Sequence, residues 1–452
     1  MANLHELREI AFLIGKFIPV WLKGRDDYYE YRFYPKDLLN CCFVCRAWRS
    51  AMLPWLWVLF EETKMGKVPN DILLKYSPYF KIIGYSYKRE TLSYAIIHAE
   101  GLRDIKISYM YDDMILPVLN THPGLRSLSI SSKESHIDST IVLPLGNLSS
   151  LVELEIGSTI MTFQELAAIL ENKPKLQTLS LDSIEINDEP PEDSSNLELP
   201  GLTALHITST QINQGVIHRL LECSPALRTF TLYLNSDEGF QASECVNVLR
   251  RNNPNLESLL VQDHYSLEEL DVMIEKASPL VKDICVDVDC LEVSTFRAIA
   301  SRADTLEKLT IKTGGAHLDM INLSRCTRLR ELHILVDNLT TIGHSKRIAQ
   351  ILCDKSWSNP NMTHFSIRGL RPQTSTAAGV ALPQGWIILP ADDLFAPLGR
   401  TFPRYSEVLS AQPLISGLDA QLLETFEEMA HIQEVVVNEL KYKRLVIDHS
   451  RN

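Results

Sequence analysis

The sequence lacks the features that would place it in a membrane or on a nucleic acid. No uninterrupted apolar run approaches the ~18–20 residues that span a bilayer, and the first residues are charged where a secretion signal needs an apolar core. Basic residues are in deficit, with 44 Lys and Arg against 57 Asp and Glu and a formal net charge of −13. Because dedicated nucleic-acid binders carry a basic face, we expect neither nucleic acid nor membrane as a partner.

Catalytic and metal-binding motifs are also missing. The sequence has no Gly-x-x-x-x-Gly-Lys-Ser/Thr phosphate loop and no Gly-x-Ser-x-Gly elbow, and Cys42-x-x-Cys45 lacks the second pair of a zinc site. Its nine cysteines are odd in number and scattered, which is typical of free thiols in a reducing compartment. We therefore expect a non-enzymatic protein of the cytoplasm or nucleus, with no cofactor and no metal.

What the sequence does contain is a repeat. The repeated phrase consists of three apolar residues, the first two separated by two residues and the last two by one. It occurs twelve times. The copies begin about 26 residues apart, and a proline precedes eight of them by two residues. Their apolar residues are Phe80/Ile83/Tyr85, Leu102/Ile105/Ile107, Leu125/Leu128/Ile130, Leu151/Leu154/Ile156, Leu176/Leu179/Leu181, Leu202/Leu205/Ile207, Leu227/Phe230/Leu232, Leu256/Leu259/Val261, Val281/Ile284/Val286, Leu306/Leu309/Ile311, Leu329/Leu332/Ile334 and Met362/Phe365/Ile367.

Between the copies the spacing of apolar residues changes to that of a helix. Phe163, Leu166, Ala167 and Leu170, for example, share one helical face. Each unit is thus predicted to be a strand, a turn and a helix that the proline ends. Ordering ~25 residues costs on the order of 25–50 kcal/mol of backbone entropy, whereas three buried aliphatic side chains return roughly 5–9 kcal/mol. One unit is therefore unstable alone, and neighbouring units must share a core.

These copies resemble leucine-rich repeats. The resemblance implies an α/β solenoid, a horseshoe with a parallel inner sheet and outer helices, over residues 63–370. The sequence departs from the family because the Asn or Cys expected three residues after the last apolar position is mostly absent, and only Asn235 fits. A Pro/Gly-rich insertion is predicted at 371–417, followed by a terminal repeat or cap at 418–452.

Residues 1–62 are different and are predicted to form a small all-helical module. Pro35-x-Asp-Leu38, Val44-Cys-Arg-Ala-Trp48-Arg and the closing Leu56-Trp57 resemble the F-box, and the phrase is similar to that of fungal F-box proteins. Two departures are His5 after Leu4, where F-boxes usually have Leu-Pro, and an insertion near 18–34.

This resemblance implies a substrate-recognition subunit of an SCF-type E3 ubiquitin ligase. The F-box would dock the SCF adaptor subunit, and through it a cullin, while the repeats bind a target protein. The alternative is a leucine-rich-repeat interaction scaffold outside the ligase, whose degenerate F-box serves as an N-terminal cap. The residues that the resemblance assigns to adaptor binding are Leu4, Leu7, Ile10, Pro35, Leu38, Leu39, Val44, Trp48, Leu56 and Trp57.

The residues between the apolar positions of each phrase are predicted to line the concave sheet face. Their charges are mixed, which favours a protein ligand with complementary patches over a track for phosphates. The candidate target-binding residues are Glu153, Glu155, Asp182, His206, Tyr233, Gln262, Asp283, Asp287, Lys308, Lys312, His333 and Arg368.

Overall fold

The computed structural model describes most of the chain up to residue 368 and short strands beyond it. The described residues are 4–15, 18, 21–23, 31–33, 35–61, 65, 68–85, 95–110, 112–132, 139–191, 197–234, 240–263, 267–288, 292–313, 323, 325–336, 361–368, 380–381, 386–390, 414–415, 434–437 and 440–444. They divide into two compact units, Met1–Ala226 and Leu227–Asn452. No helix in this described part is long and apolar enough to cross a membrane.

Unit one begins with three helices, α1 (Leu4–Gly15), α2 (Lys36–Val44) and α3 (Arg46–Leu56). They enclose a small core of Ala11, Leu38, Cys42, Ala51 and Met52. The indole nitrogen of Trp55 donates a hydrogen bond to the carbonyl of Phe12 at 2.8 Å. A Cβ at Gly15 would overlap the Trp55 ring, so glycine allows α1 and α3 to approach. Two short antiparallel strands, β1 (Trp21–Lys23) and β2 (Tyr31–Phe33), lie inside the predicted insertion.

The rest of unit one is a run of parallel strands that pair in chain order. The strands are β3 (Leu59–Glu61), β4 (Ile82–Tyr85), β5 (Asp104–Met110), β6 (Ser127–Ser132), β7 (Glu153–Ile160), β8 (Thr178–Ile186) and β9 (Ala204–Ile212). The described helices between them are α4 (Asn70–Tyr76), α5 (Asp112–Thr121), α6 (Ser139–Gly146) and α7 (Phe163–Leu170), and α8 (Gln214–Glu222) follows β9. β3 was not predicted, because its sequence has only part of the phrase.

Unit two repeats this arrangement. Its parallel strands are β10 (Thr229–Leu234), β11 (Ser258–Asp263), β12 (Asp283–Val288), β13 (Lys308–Thr313), β14 (Glu331–Val336) and β15 (His364–Arg368). Its described helices are α9 (Ala242–Asn252), α10 (Leu267–Lys276) and α11 (Val293–Ala300). In both units the second and third apolar residues of a phrase pair with their equivalents in the next repeat, as Leu259 does with Ile284. The predicted α/β leucine-rich-repeat solenoid is confirmed.

The last strands of unit two extend its sheet. Two short strands, β16 (Val380–Ala381) and β18 (Leu414–Ile415), pair only with each other. The strands that join the main sheet are β17 (Trp386–Pro390), β19 (Glu434–Val437) and β20 (Leu440–Arg444). β19 pairs parallel with β15, as the predicted terminal repeat requires, and β20 and β17 then add in antiparallel order. The rest of the predicted insertion at 371–417 and the helix expected near 418–430 lie outside the described residues.

The prolines start a tight turn rather than simply ending a helix. The Leu125 amide donates to the carbonyl of His122 at 3.2 Å, and the Leu256 amide donates to Asn253 at 3.2 Å, so each proline is the second residue of a β-turn. Proline suits that position because its φ is already fixed near the required value. The turn delivers the first apolar residue of the next phrase into the core, where Leu125 and Leu256 are fully buried.

The residue just before the turn proline forms a buried and mostly polar column. Ser77 and Ser224 donate to carbonyls of their own repeats, whereas His122, Lys173 and Ser278 reach backbone carbonyls of the preceding repeat. His122 Nε2 lies 2.8 Å from the Ile96 carbonyl, and Ser278 Oγ donates to the Pro254 carbonyl at 2.8 Å. Lys173, only 2% exposed, donates to the carbonyls of Leu145 and Gly146 at 2.7 and 3.2 Å. At His122, Lys173 and Ser278 the column therefore joins one repeat to the repeat before it.

Arg302, which does not precede a turn proline, makes similar contacts in unit two. Its guanidinium donates to the carbonyls of Ile274, Glu275 and Ala277 at 2.8, 2.7 and 2.6 Å. All three carbonyls lie at or just beyond the end of α10, where the helix dipole favours a cation. The arginine thus ties the repeat that carries α11 to the repeat before it.

Burial of Lys173 makes stability depend on pH. Desolvation lowers the pKa of Lys173 to about 8 in the folded protein, while the unfolded chain titrates near 10.5. Between these values the unfolded chain binds more protons, so stability rises with pH. We expect the free energy of unfolding of the wild type, relative to Lys173→Gln, to rise by about 1 kcal/mol between pH 7.5 and 9. Urea unfolding followed by circular dichroism measures this, and a constant difference would contradict it.

Candidate functional site

The helical module leaves one side of α1 apolar and exposed. Ala11 and Gly15, four residues apart, face the module core. Ile10, Leu13 and Ile14 recur at helical spacing on the rest of the helix and are 55%, 60% and 39% exposed. A contiguous apolar stripe left in solvent typically marks a contact surface.

The second helix carries a similar stripe. Leu38 and Cys42 point into the core, while Pro35, Leu39 and Phe43 are spaced four residues apart along another face. Phe43 is 75% exposed and the neighbouring Val44 is 64% exposed. Phe43 was not among the predicted contact residues, although its position four residues after Leu39 would have identified it. We call Ile10, Leu13, Ile14, Phe43 and Val44 the apolar surface of the module.

Two of the predicted adaptor-binding residues belong to the interior. Leu38 is 0% exposed in the module core. Trp57 is 6% exposed, and its ring stacks on Tyr76 with centroids 4.9 Å apart and an interplanar angle of 4°. Trp57 therefore joins the module to the first repeat, and contact of the buried Leu38 and Trp57 with the adaptor stays a prediction. Trp48 and Leu56 pack partly against the module core.

For four predicted residues the structure gives the position in an element and no more. Leu4 and Leu7 lie in α1, Gln262 lies in β11 and Arg368 lies in β15. Gln262 pairs with Asp287, and Arg368 pairs with Leu335.

In unit one the predicted target-binding residues lie on the sheet face opposite the core, as the alternation requires. Glu155 and His206 stand in one row across the strands with Ser180 between them. Glu153 is exposed and accepts a hydrogen bond from Ser127 Oγ at 3.1 Å, and Asp182 accepts one from Thr208 Oγ1 at 2.6 Å. Each of these two carboxylates therefore already accepts one hydrogen bond from a neighbouring hydroxyl group.

Partial burial shifts the titration of two groups on this face. Desolvation raises the pKa of Asp104, and the nearby Glu153 carboxylate raises it further. Desolvation lowers the pKa of His206, against an opposing effect of Glu155. His206 is therefore held in its neutral form at neutral pH, and the row presents Glu155 beside an uncharged imidazole.

In unit two the strand register places the predicted charges in pairs. Asp283 lies opposite Lys308 and Asp287 lies opposite Lys312, because β12 and β13 pair in parallel with these residues in register. Lys312 Nζ is 2.9 Å from Asp287 Oδ2, and Lys308 Nζ is 3.9 Å from Asp283 Oδ2. Acidic side chains of β12 therefore lie beside basic side chains of β13 on this sheet face. Half-buried Tyr233 is the aromatic residue at the β10 side of that face.

Two ionisable side chains near these charges, Cys285 and His333, are held in their neutral forms. Desolvation raises the pKa of Cys285 to about 12, and the Asp287 and Asp283 carboxylates act in the same direction. Desolvation lowers the pKa of His333, although its contact with Glu331 at 3.5 Å opposes this. A thiol in this state is a poor nucleophile. Among the residues that the structure describes, no group of three His, Cys, Asp or Glu side chains is arranged to hold a metal ion.

The sequence matches no family model and no curated protein. Solved structures that are similar include the complex of Rad7 and Elc1 from yeast, with 17% identity over 82% of this chain and 91% of that chain and a TM-score of 0.43. An internalin from Listeria monocytogenes is 14% identical over 82% of this chain and 92% of that chain, with a TM-score of 0.35.

A third similar structure is the leucine-rich repeat-containing protein LegL7 from Legionella pneumophila. It is 11% identical over 67% of this chain and 88% of that chain, with a TM-score of 0.33. At these identities the similarity concerns the fold alone. The leucine-rich-repeat fold of this chain rests on the strand order and registers described above.

The division of the module into core and surface is testable by stability. Leu38→Ala removes a fully buried side chain and is expected to destabilise the module by about 2–5 kcal/mol. Phe43→Ser changes a side chain that is 75% exposed and is expected to change stability by less than about 0.5 kcal/mol. Urea unfolding followed by tryptophan fluorescence measures both, since four of the six tryptophans lie before residue 58. Equal losses would refute this division.

Proposed function

We propose that the chain is a non-catalytic substrate-recognition subunit of an SCF-type ubiquitin ligase. The helical module binds the adaptor subunit and, through it, a cullin, while the repeats bind a target protein. The protein then works in the cytoplasm, the nucleus or both, where thiols stay reduced. Holding a target next to the ubiquitin-charged enzyme raises the effective concentration of the target lysine.

The observation that carries this proposal is the apolar surface of the module. Five large apolar side chains on two short helices are between 39% and 75% exposed, in a module whose core is only a few residues across. Exposed apolar residues at this density are costly unless a partner covers them. The F-box resemblance supplies the class of partner, and Pro35, Leu39 and Val44 of its motif lie on or beside this surface.

The repeats suit a protein target with alternating charges. Asp283 is paired with Lys308, and Asp287 is paired with Lys312. A ligand that carries charge of only one sign would therefore be repelled by one member of each pair. A protein surface that carries both signs can match the pattern. Tyr233 and His333 add groups that contribute both contact area and hydrogen bonds.

A second function is favoured by the burial of Trp57. Its stacking on Tyr76 and its contact with Phe80, with ring centroids 6.3 Å apart, fasten the module to the first repeat. The module can therefore serve as a cap on the repeat array in a scaffold that acts outside the ligase. Capping and adaptor binding use different residues, so one experiment separates them.

The experiment is capture of the purified adaptor subunit of a fungal SCF ligase by the full-length chain. Phe43→Ser combined with Leu13→Ser is expected to weaken capture about tenfold or more, because the substitutions remove apolar area from the contact surface. Leu143→Ser is the matched control, since Leu143 is 74% exposed but lies in helix α6 of the repeats. Biolayer interferometry gives the dissociation constants.

The outcomes distinguish the two functions. Capture by the wild type and the control, weakened in the double variant, supports the ligase subunit. A folded wild-type chain that fails to bind the adaptor, or a double variant that binds as well as the control, contradicts it and leaves the scaffold with a capping module.

A further inference from the structure

A small groove lies between α3 and the first repeat of unit one, and none of its lining residues belongs to the surfaces described above. Its volume is about 270 Å³. One wall is a stripe of α3 that includes Arg46, Arg49 and Leu53, and the other wall is formed by Tyr76 and Tyr79. Residues at these spacings share one face of a helix, so the two guanidinium groups stand on adjacent turns above an apolar floor.

The lining of the groove is rich in hydrogen-bond donors. Arg49 Nε donates to the Cys42 carbonyl at 3.3 Å, which fixes the side chain while its other N–H groups stay available. Within the described residues, Arg46 makes no side-chain hydrogen bond or ion pair, and the hydroxyls of Tyr76 and Tyr79 have no hydrogen-bond partner. No carboxylate is among the lining residues. In a chain of net charge −13, such a concentration of donors selects an anionic ligand.

The apolar part of the groove is rigid. The ring of Tyr76 is held against Trp57 in a stacked pair, and Lys75 Nζ lies 5.3 Å from its centroid. Tyr79 is 42% exposed, and its ring lies 6.4 Å from that of Tyr76. A wall that is already ordered loses little entropy when a ligand binds. A space of 270 Å³ is roughly the share of nine water molecules in the liquid, so it suits a few side chains of an extended segment.

We propose that this groove binds a short acidic segment of a partner protein. Two of its carboxylates pair with Arg46 and Arg49, and an apolar side chain packs between Leu53 and Tyr79. Two guanidiniums on successive turns match two acidic side chains, and the apolar floor favours a peptide over a nucleic acid. The inference does not rest on the proposed function, because none of these residues belongs to the apolar surface of the module.

The test uses the full-length chain and an array of six-residue peptides. Each peptide combines Glu or Asp with one Phe or Leu, and matched peptides carry Gln in place of the acids or phosphoserine in their place. The tightest acidic peptide, labelled with fluorescein, is then titrated by fluorescence polarisation. We expect its affinity to fall several-fold between 50 and 200 mM NaCl, as ion pairing at an exposed groove requires.

Variants connect the binding to the groove. Arg46→Gln combined with Arg49→Gln is expected to weaken binding about tenfold or more. Arg103→Gln combined with Arg126→Gln removes the same charge from two other exposed arginines of unit one and is expected to change binding less than about twofold. Arg46→Gln alone, which breaks no side-chain bond to any residue that the structure describes, is expected to weaken binding about threefold with an unchanged circular dichroism spectrum.

Four results would overturn the proposal. These are no binding of any acidic peptide to the wild type, equal binding of the Gln-substituted peptides, equal weakening by the Arg103/Arg126 variant, and binding of the phosphoserine peptides alone. The last result would make the groove a site for phosphorylated segments instead.

Discussion

The in-register pairing of parallel strands within each unit is the constraint on which every other feature depends. Because side chains alternate along a strand, a slip of one residue would move the buried apolar positions into solvent and the charged ones into the core. The observed registers, such as Leu154 with Leu179 and Ile284 with Leu309, keep all apolar positions in one layer. The same registers decide which polar residues are neighbours on the opposite face. Core and interaction surface are therefore two results of one constraint.

Register alone does not hold the repeats together, because each helix ends with unsatisfied carbonyls. The buried polar column meets this need with side chains from the following repeat. Two members of the column, His122 and Lys173, and Arg302 outside it are cations or potential cations placed at the carbonyl ends of helices, where the dipole favours them. Burial opposes their charge and lowers the pKa of each one. The column thus exchanges desolvation of a cation for satisfied backbone groups, and it joins neighbours that apolar packing alone would leave free to slide.

The sequence was sufficient to predict the strands β4 to β15, their face and their order within each unit, but not β3. Twelve phrases give twelve strands, since an apolar spacing of three and then two residues is incompatible with a helix face. It was insufficient for the buried column, because a lysine or histidine before a proline looks like a solvated turn residue. The packing of Trp57 on Tyr76 was not predicted, for a related reason. A motif gives the type of residue at a position, but whether Trp57 faces a partner or Tyr76 depends on the packing of the next helix.

Pairing of charges across the sheet face of unit two explains how a strongly acidic chain can present a selective surface. Each carboxylate of Asp283 and Asp287 has a lysine beside it, so the face has little net field although it is densely charged. Such a face attracts ligands weakly at long range and discriminates at contact, where a misplaced charge meets a like charge. The groove beside α3 is the opposite case, since Arg46 and Arg49 have no acidic neighbour in its lining. The fold therefore carries two contrasting surfaces, a sheet face with paired opposite charges and a groove with two arginines and no carboxylate among its lining residues.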